Sequence, residues 1–194
     1  MRLLLASTSP FRRELLARLG LEFQCAAPDI DETPLPGEPP QELVVRLAGL
    51  KAAAVVQGHA DVLSIGSDQV ATLDGEILGK PGSHARAAQQ LQRASGRRVT
   101  FHTGLCLLNS RTRETQCCCE PFHVHFRALS PAAIDDYLRR EQPYNCAGSF
   151  KSEGLGICLF RRLEGDDPNA LIGLPLIRLV DMLANAGVDV LQGS

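Results

Sequence analysis

With 194 residues, 44% of them hydrophobic, the chain has enough apolar content for one generous domain or two small lobes, scarcely for two independent domains, and residues 1–194 read as a single domain. A formal charge of -2 and a pI near 6.2 exclude a broad basic surface and extended nucleic-acid binding, although a small phosphorylated ligand needs only a few local cations. No apolar run approaches the ~20 residues that span a bilayer, and the N-terminal LLLA is shorter than the ~7 to 15 residue core of a signal peptide, which predicts a cytoplasmic protein without a membrane partner.

Leu3 to Ala6 reads as a short buried strand, and Ser7-Thr8-Ser9-Pro10 suits the start of a helix whose apolar residues Phe11, Leu15, Leu16 and Leu19 repeat at helical spacing before Gly20. A second strand is predicted over Leu21 to Ala26. The stretch from Asp29 to Pro40 carries four prolines and a glycine after Asp31-Glu32 and reads as a surface loop. Gln41 to Gln57 is a helical window with Leu43, Leu47, Leu50 and Ala54 as its apolar stripe and Lys51 beside that stripe. Val62 to Ile65 and Val70 to Leu73 read as strands flanking Gly66-Ser67-Asp68-Gln69, with Asp74-Gly75 as a hairpin turn before Glu76 to Leu78.

Gly79-Lys80-Pro81-Gly82 breaks the pattern, Ser83 caps a helix from His84 to Ala94, and Ser95-Gly96 ends it. Arg97 to Leu108 and Thr115 to Phe126 form a long antiparallel ribbon around a polar loop at Asn109 to Arg113. The seven cysteines, Cys25, Cys106, Cys117, Cys118, Cys119, Cys146 and Cys158, are odd in number, which fits reduced thiols. Cys117-Cys118-Cys119 alternate faces in a strand and read as small apolar residues, not as a metal site. Ser130-Pro131 opens a helix through Arg139, Asn145 to Gly156 is a loop, Ile157 to Leu163 a strand, and Leu174 to Asn185 a closing amphipathic helix. The whole is a mixed α/β protein.

Three features suggest chemistry. Ser7, Ser9, Arg12 and Arg13 surround a strand-to-helix turn where hydroxyls, helix N-terminal amides and guanidinium groups make an anion cradle, although an ordinary capped helix with exposed arginines would look the same. It is not a Walker loop, because G-x-x-x-x-G-K-S/T is absent, as is the dinucleotide fingerprint G-x-G-x-x-G. Asp68 stands among apolar strand residues, where an acid is costly to bury without a partner, ligand or metal; capping of neighbouring amides is the structural alternative. Lys51 and Lys80 are the cations to bring toward it, and either would read in isolation as a solvated lysine.

The segments LLLASTSPFRRELL, DIDETP, LVVRLAGLKA, IGSDQV, GKP, CAGSFKSEG and IGLPL resemble, in order and approximate spacing, the Maf family of nucleotide pyrophosphatases, and within it the 7-methyl-GTP subtype. The resemblance implies an elongated, mixed twisted sheet with flanking helices and a central cleft between two lobes, a nucleotide substrate, and a possible homodimer. It assigns Ser7, Ser9, Arg12 and Arg13 to phosphate binding and Glu32, Lys51, Asp68 and Lys80 to the scissile linkage, with Asp68 as proton acceptor. A divalent cation, magnesium or manganese, is the implied cofactor, with Glu32 and Asp68 as its candidate ligands.

At three positions where dTTP- and UTP-preferring relatives differ, this chain has Phe11, Gln69 and Glu153, which favours the methylguanine subtype; Phe11 departs from the tryptophan more typical there. N7-methylation makes guanine cationic, so an aromatic face at Phe11 gains about 0.5 to 2 kcal/mol by cation-π contact. A carboxylate at Glu153 accepts from the guanine ring N–H and exocyclic amine, and Gln69 reads another edge. Phe11 as a first core residue of its helix and Glu153 as a solvated loop acid are the structural alternatives. The expected reaction is attack on the α-phosphorus by a water that Asp68 deprotonates, releasing pyrophosphate. A dTTP/UTP or broad nucleotide pyrophosphatase, and a non-catalytic nucleotide-binding regulator of septum formation, are the competing readings.

Overall fold

The apolar run after the N-terminus forms strand β1 (Arg2–Ala6), which pairs in parallel with β2 (Phe23–Ala26) on one side and with β3 (Val62–Leu73) on the other, Leu5 standing opposite Cys25 and Ile65. This computed structural model describes residues 1–192. The sheet has seven strands in the order β2-β1-β3-β5-β6-β7, with β4 (Glu76–Leu78) on β3; β5 is Arg98–Asn109, β6 Thr115–Phe126 and β7 Phe160–Glu164. The helices are α1 (Pro10–Ala17), α2 (Pro40–Ala54), α3 (His84–Ala94), α4 (Pro131–Glu141), α5 (Pro168–Ile172) and α6 (Leu176–Asn185). The mixed α/β reading holds. Among the described residues no helix is long and apolar enough to cross a membrane.

The chain divides into two compact units. One comprises Met1–Asp68, Thr103–Glu120 and the residues from Gly173 onward; the other comprises Gln69–His102 and Pro121–Ile172. In the first unit α2 buries Leu43, Val44, Leu47, Ala48, Lys51 and Ala52, and Ala48, Ala52, Val55 and Val56 pack with Leu4, Val62 and Cys106. The predicted stripe was displaced: Leu50 is exposed, and Lys51 lies within the buried face instead of beside it. In the second unit a cluster of Phe101, Phe126, Phe150 and Phe160 rings meets edge to face, Phe150 and Phe160 with centroids 4.7 Å apart.

Local chemistry accounts for most boundaries. Ser9, Ser83 and Ser130 each cap a helix by accepting a hydrogen bond from a first-turn amide. Asp74 and Gly75, at φ 52° and 86°, turn β3 into β4. Several expectations fail. The two strands predicted around Gly66–Gln69 are one continuous strand, because Gly66 tolerates the pressure of α2 without leaving the ladder. Residues Leu155–Leu159 form a 3₁₀ turn, so β7 begins at Phe160, three residues after the predicted start at Ile157. The short helix α5 went unread, and α6 begins two residues after the predicted start at Leu174, with Pro175 as its N-cap.

Candidate functional site

Strand β1 is followed by the buried Ser7, whose hydroxyl accepts the Ser9 amide at 3.1 Å; the Ser9 hydroxyl in turn accepts the Arg12 amide at 3.4 Å. These bonds shape the turn from strand to helix and start α1 at Pro10. Phe11 and Arg12 are half-buried, while Arg13 is exposed. Arg12 Nε donates to the Gly173 carbonyl at 2.8 Å, and Ser67 Oγ donates to the same carbonyl at 2.9 Å. The fork of Arg12 is thereby fixed by backbone on one side.

Close backbone approach explains the neighbouring pair. A Cβ on Gly66 would lie 2.0 Å from the Ala48 carbonyl oxygen, and one on Gly104 would lie 2.1 Å from that of Val44, so glycine on β3 and on β5 lets α2 settle directly on the strands. Lys51, one turn beyond Ala48, then reaches Asp68. Its ammonium stands 2.6 Å from Asp68 Oδ1 and 2.7 Å from Glu32 Oε1. Lys51 and Asp68 are 6% and 8% exposed, so water screens this contact weakly. Glu32, from the proline-rich loop, has a side chain that is 60% exposed. Burial lowers the Arg12 pKa, and the charges of Asp68 and Glu32 oppose that shift by favouring the guanidinium cation.

Four predicted residues, Arg12, Glu32, Lys51 and Asp68, therefore meet in the first unit, with Ser7 and Ser9 at the adjoining turn. Gln69, Lys80 and Glu153 belong to the second unit. Gln69 Nε2 donates to the carbonyls of Ala170 and Leu171 at 2.7 and 3.1 Å, which ties β3 to α5. Lys80 is exposed in a turn held by the bond from Gln90 Nε2 to the Gly79 carbonyl and by that from the Gly82 amide to the Tyr144 carbonyl. Glu153 is exposed, accepts from Ser152 Oγ at 3.2 Å, and sits in a loop clamped to α4: Lys151 Nζ donates to the Glu141 carbonyl and Glu141 Oε2 accepts the Leu155 amide. The partly buried Cys146 thiol, raised by burial, feels the charges of Lys80 and Glu153 alike.

Sequence reasoning missed Ser67 and the Gly173 carbonyl as supports of Arg12. Their only signal was membership of the IGSDQV and IGLPL segments. Glu32 and Asp68 offer two carboxylates around one cation position. Among the described residues no group of three or more His, Cys, Asp or Glu side chains is placed to hold a metal ion.

Two cations, Arg12 of α1 and Lys51 of α2, gathered with the carboxylates of Asp68 on β3 and Glu32 in the loop before α2, have the makings of a phosphate-handling α/β protein. Two solved structures share the fold: a HAM1 protein from Coxiella burnetii, with a TM-score of 0.54 and 17% identity, covering 95% of this chain and 99% of that one; and the Ham1 protein of Staphylococcus aureus, with a TM-score of 0.50 and 16% identity, covering 96% and 100%. The family described as Maf-like protein matches residues 2–186. The chain belongs to the Maf family. It is 61% identical over 189 residues to the 7-methyl-GTP pyrophosphatase of Nitrosococcus oceani, covering 97% of this chain and 95% of that protein. It is 62% identical over 188 residues to the 7-methyl-GTP pyrophosphatase of Pseudomonas syringae pv. tomato, covering 97% and 98%.

Proposed function

We propose that the chain is a nucleoside triphosphate pyrophosphatase that hydrolyses 7-methyl-GTP to 7-methyl-GMP and diphosphate, removing a modified nucleotide before it enters nucleic acid. The observation that carries the reading is the Lys51 ammonium held between Glu32 Oε1 and Asp68 Oδ1, two carboxylates whose charges also reach the Arg12 guanidinium. The relatives named 7-methyl-GTP pyrophosphatase supply the substrate.

In this mechanism Asp68, oriented by Lys51, takes the proton of the water that attacks the α-phosphorus. Arg12 and Lys51 offset the charge that grows on the transferring and leaving oxygens, with Ser7, Ser9 and Arg13 as further phosphate ligands. Gln69 and Glu153 select the base, the Glu153 carboxylate opposing the positive charge of methylguanine. Glu32 and Asp68 are the carboxylates that would hold a divalent cation, magnesium or manganese, because such ions take one or two carboxylates and complete their shell with water and substrate phosphates. An ion held there would supply further neutralisation of phosphate charge. The seven free thiols support a reducing, cytoplasmic setting.

The test is a panel of 7-methyl-GTP, UTP, dTTP and ITP assayed for diphosphate with and without magnesium. The highest kcat/KM is expected for 7-methyl-GTP, with magnesium required. Preference for UTP or dTTP would favour the pyrimidine-nucleotide reading, and stoichiometric binding without product would favour a regulator.

A further inference from the structure

Two of the cysteines face each other across the β5–β6 hairpin. The Asn109 amide donates to the Glu114 carbonyl at 2.9 Å, which sets the register of the two strands at the hairpin end. The same offset relates Thr100 to His123, whose Oγ1 and Nδ1 are 2.9 Å apart, and Arg97 to Phe126, joined by a 2.9 Å backbone bond. Followed along both strands, that offset puts Cys106 directly opposite Cys117, at a position that alternates out of the hydrogen-bonded pairs. Such pairs bring Cα atoms to about 4.5 Å with both side chains on one face. A disulfide needs Cα atoms roughly 4.4 to 6.8 Å apart.

The faces agree with this register. Gly104 and Cys106 lie toward α2, Cys106 packing with Ala48, Ala52, Val55 and Val56. Glu120 faces the other way and takes Arg178 of α6 at 3.0 Å, so Cys118 shares that opposite face. Of the three consecutive cysteines, Cys117 is the one aligned with Cys106. It is also exposed, whereas Cys106 is fully buried. A hydrogen bond from the Cys106 thiol lowers the Cys117 pKa, and the same bond, with burial, raises that of Cys106.

We propose that Cys106 and Cys117 are a redox-active dithiol, in which the accessible Cys117 reacts first and the buried Cys106 resolves it into a cross-strand disulfide. With a low-molecular-weight disulfide as oxidant, the Cys117 thiolate attacks one sulfur, breaks that S–S bond and releases one thiolate. Cys106 then loses its proton, attacks the Cys117 sulfur of the mixed disulfide and releases the second thiolate. Two protein thiols are oxidised, one external disulfide is reduced to two thiols, and the protons of the cysteines end on those thiols.

The experiment incubates the reduced full-length protein with oxidised glutathione, quenches by alkylation at successive times and maps unreduced peptides by mass spectrometry. The expected result is a peptide joining Cys106 to Cys117 that forms at least about tenfold faster than glutathione adds to the exposed Cys25 and Cys158. Cys106→Ser, its fold verified by thermal unfolding, should instead accumulate glutathione on Cys117, and Cys117→Ser should give neither product. The wild-type map alone is decisive: modification of Cys25 or Cys158 as fast as Cys117, or a cross-link joining other cysteines, overturns the proposal.

Discussion

Replacing Gly66 by alanine adds one methyl group at the place where α2 touches β3. The new Cβ would stand 2.0 Å from the Ala48 carbonyl oxygen and 2.7 Å from the Ala52 amide nitrogen, whereas ordinary contact begins at 3.4 Å. Both neighbours are helix backbone, which cannot swing aside as a side chain does. Helix α2 must therefore retreat by roughly 1 Å, an overpacking strain of about 1–3 kcal/mol. For a chain of this length that lowers Tm by roughly 3 to 10 °C. Lys51 lies on the same helical face between Ala48 and Ala52, so the retreat also stretches its 2.6 Å contact with Asp68. A displacement of that size at a reacting group lowers kcat by about 100-fold. Differential scanning calorimetry and steady-state diphosphate release on one preparation read both effects. Wild-type Tm together with wild-type turnover would refute the argument that glycine at this position sets the site.

Gly49, in the same helix, has no atom within 4 Å of an added Cβ, so Gly49→Ala should raise stability by about 0.5–1 kcal/mol in urea titration and leave kcat unchanged. Glu153→Gln keeps the shape of the side chain and removes its charge; the kcat/KM preference for 7-methyl-GTP over UTP should fall by about tenfold, measured with both substrates in competition. Burial, with a smaller contribution from His123, lowers the pKa of His102 below its ordinary 6.5. The unfolded chain then takes up that proton first, so the contribution to stability is present above pH 6.5 and is lost as pH falls toward the folded value. Urea midpoints collected across this range should fall with acidification in the wild type and fall less steeply in His102→Asn.

Much of the fold was legible because its signals are local. Ser9, Ser83 and Ser130 cap helices by bonds within one turn, and Asp74-Gly75 takes the positive φ angles that a tight hairpin requires. The failures are tertiary. A glycine inside an apolar strand reads as a break, and only the pressure of α2 on Gly66 shows why β3 continues through it. Lys51 was placed beside the stripe because lysines avoid cores; it enters because Glu32 and Asp68 lie beyond it. Helix α5 is five residues long, too short for periodicity to appear. The two acids, the lysine and the arginine of the site were identifiable as candidates, but the carbonyl of Gly173 that holds Arg12 carries no side-chain signature at all.

The central claim is that Asp68, steered by Lys51 and set beside Arg12 and Glu32, drives cleavage of the triphosphate. Asp68→Asn preserves the size of the side chain and removes its capacity to accept a proton, so the most direct measurement is single-turnover release of diphosphate from 7-methyl-GTP by this variant, with Kd measured alongside. A fall in rate of about 100-fold or more with binding largely retained is the predicted result. A rate near that of the wild type would contradict it.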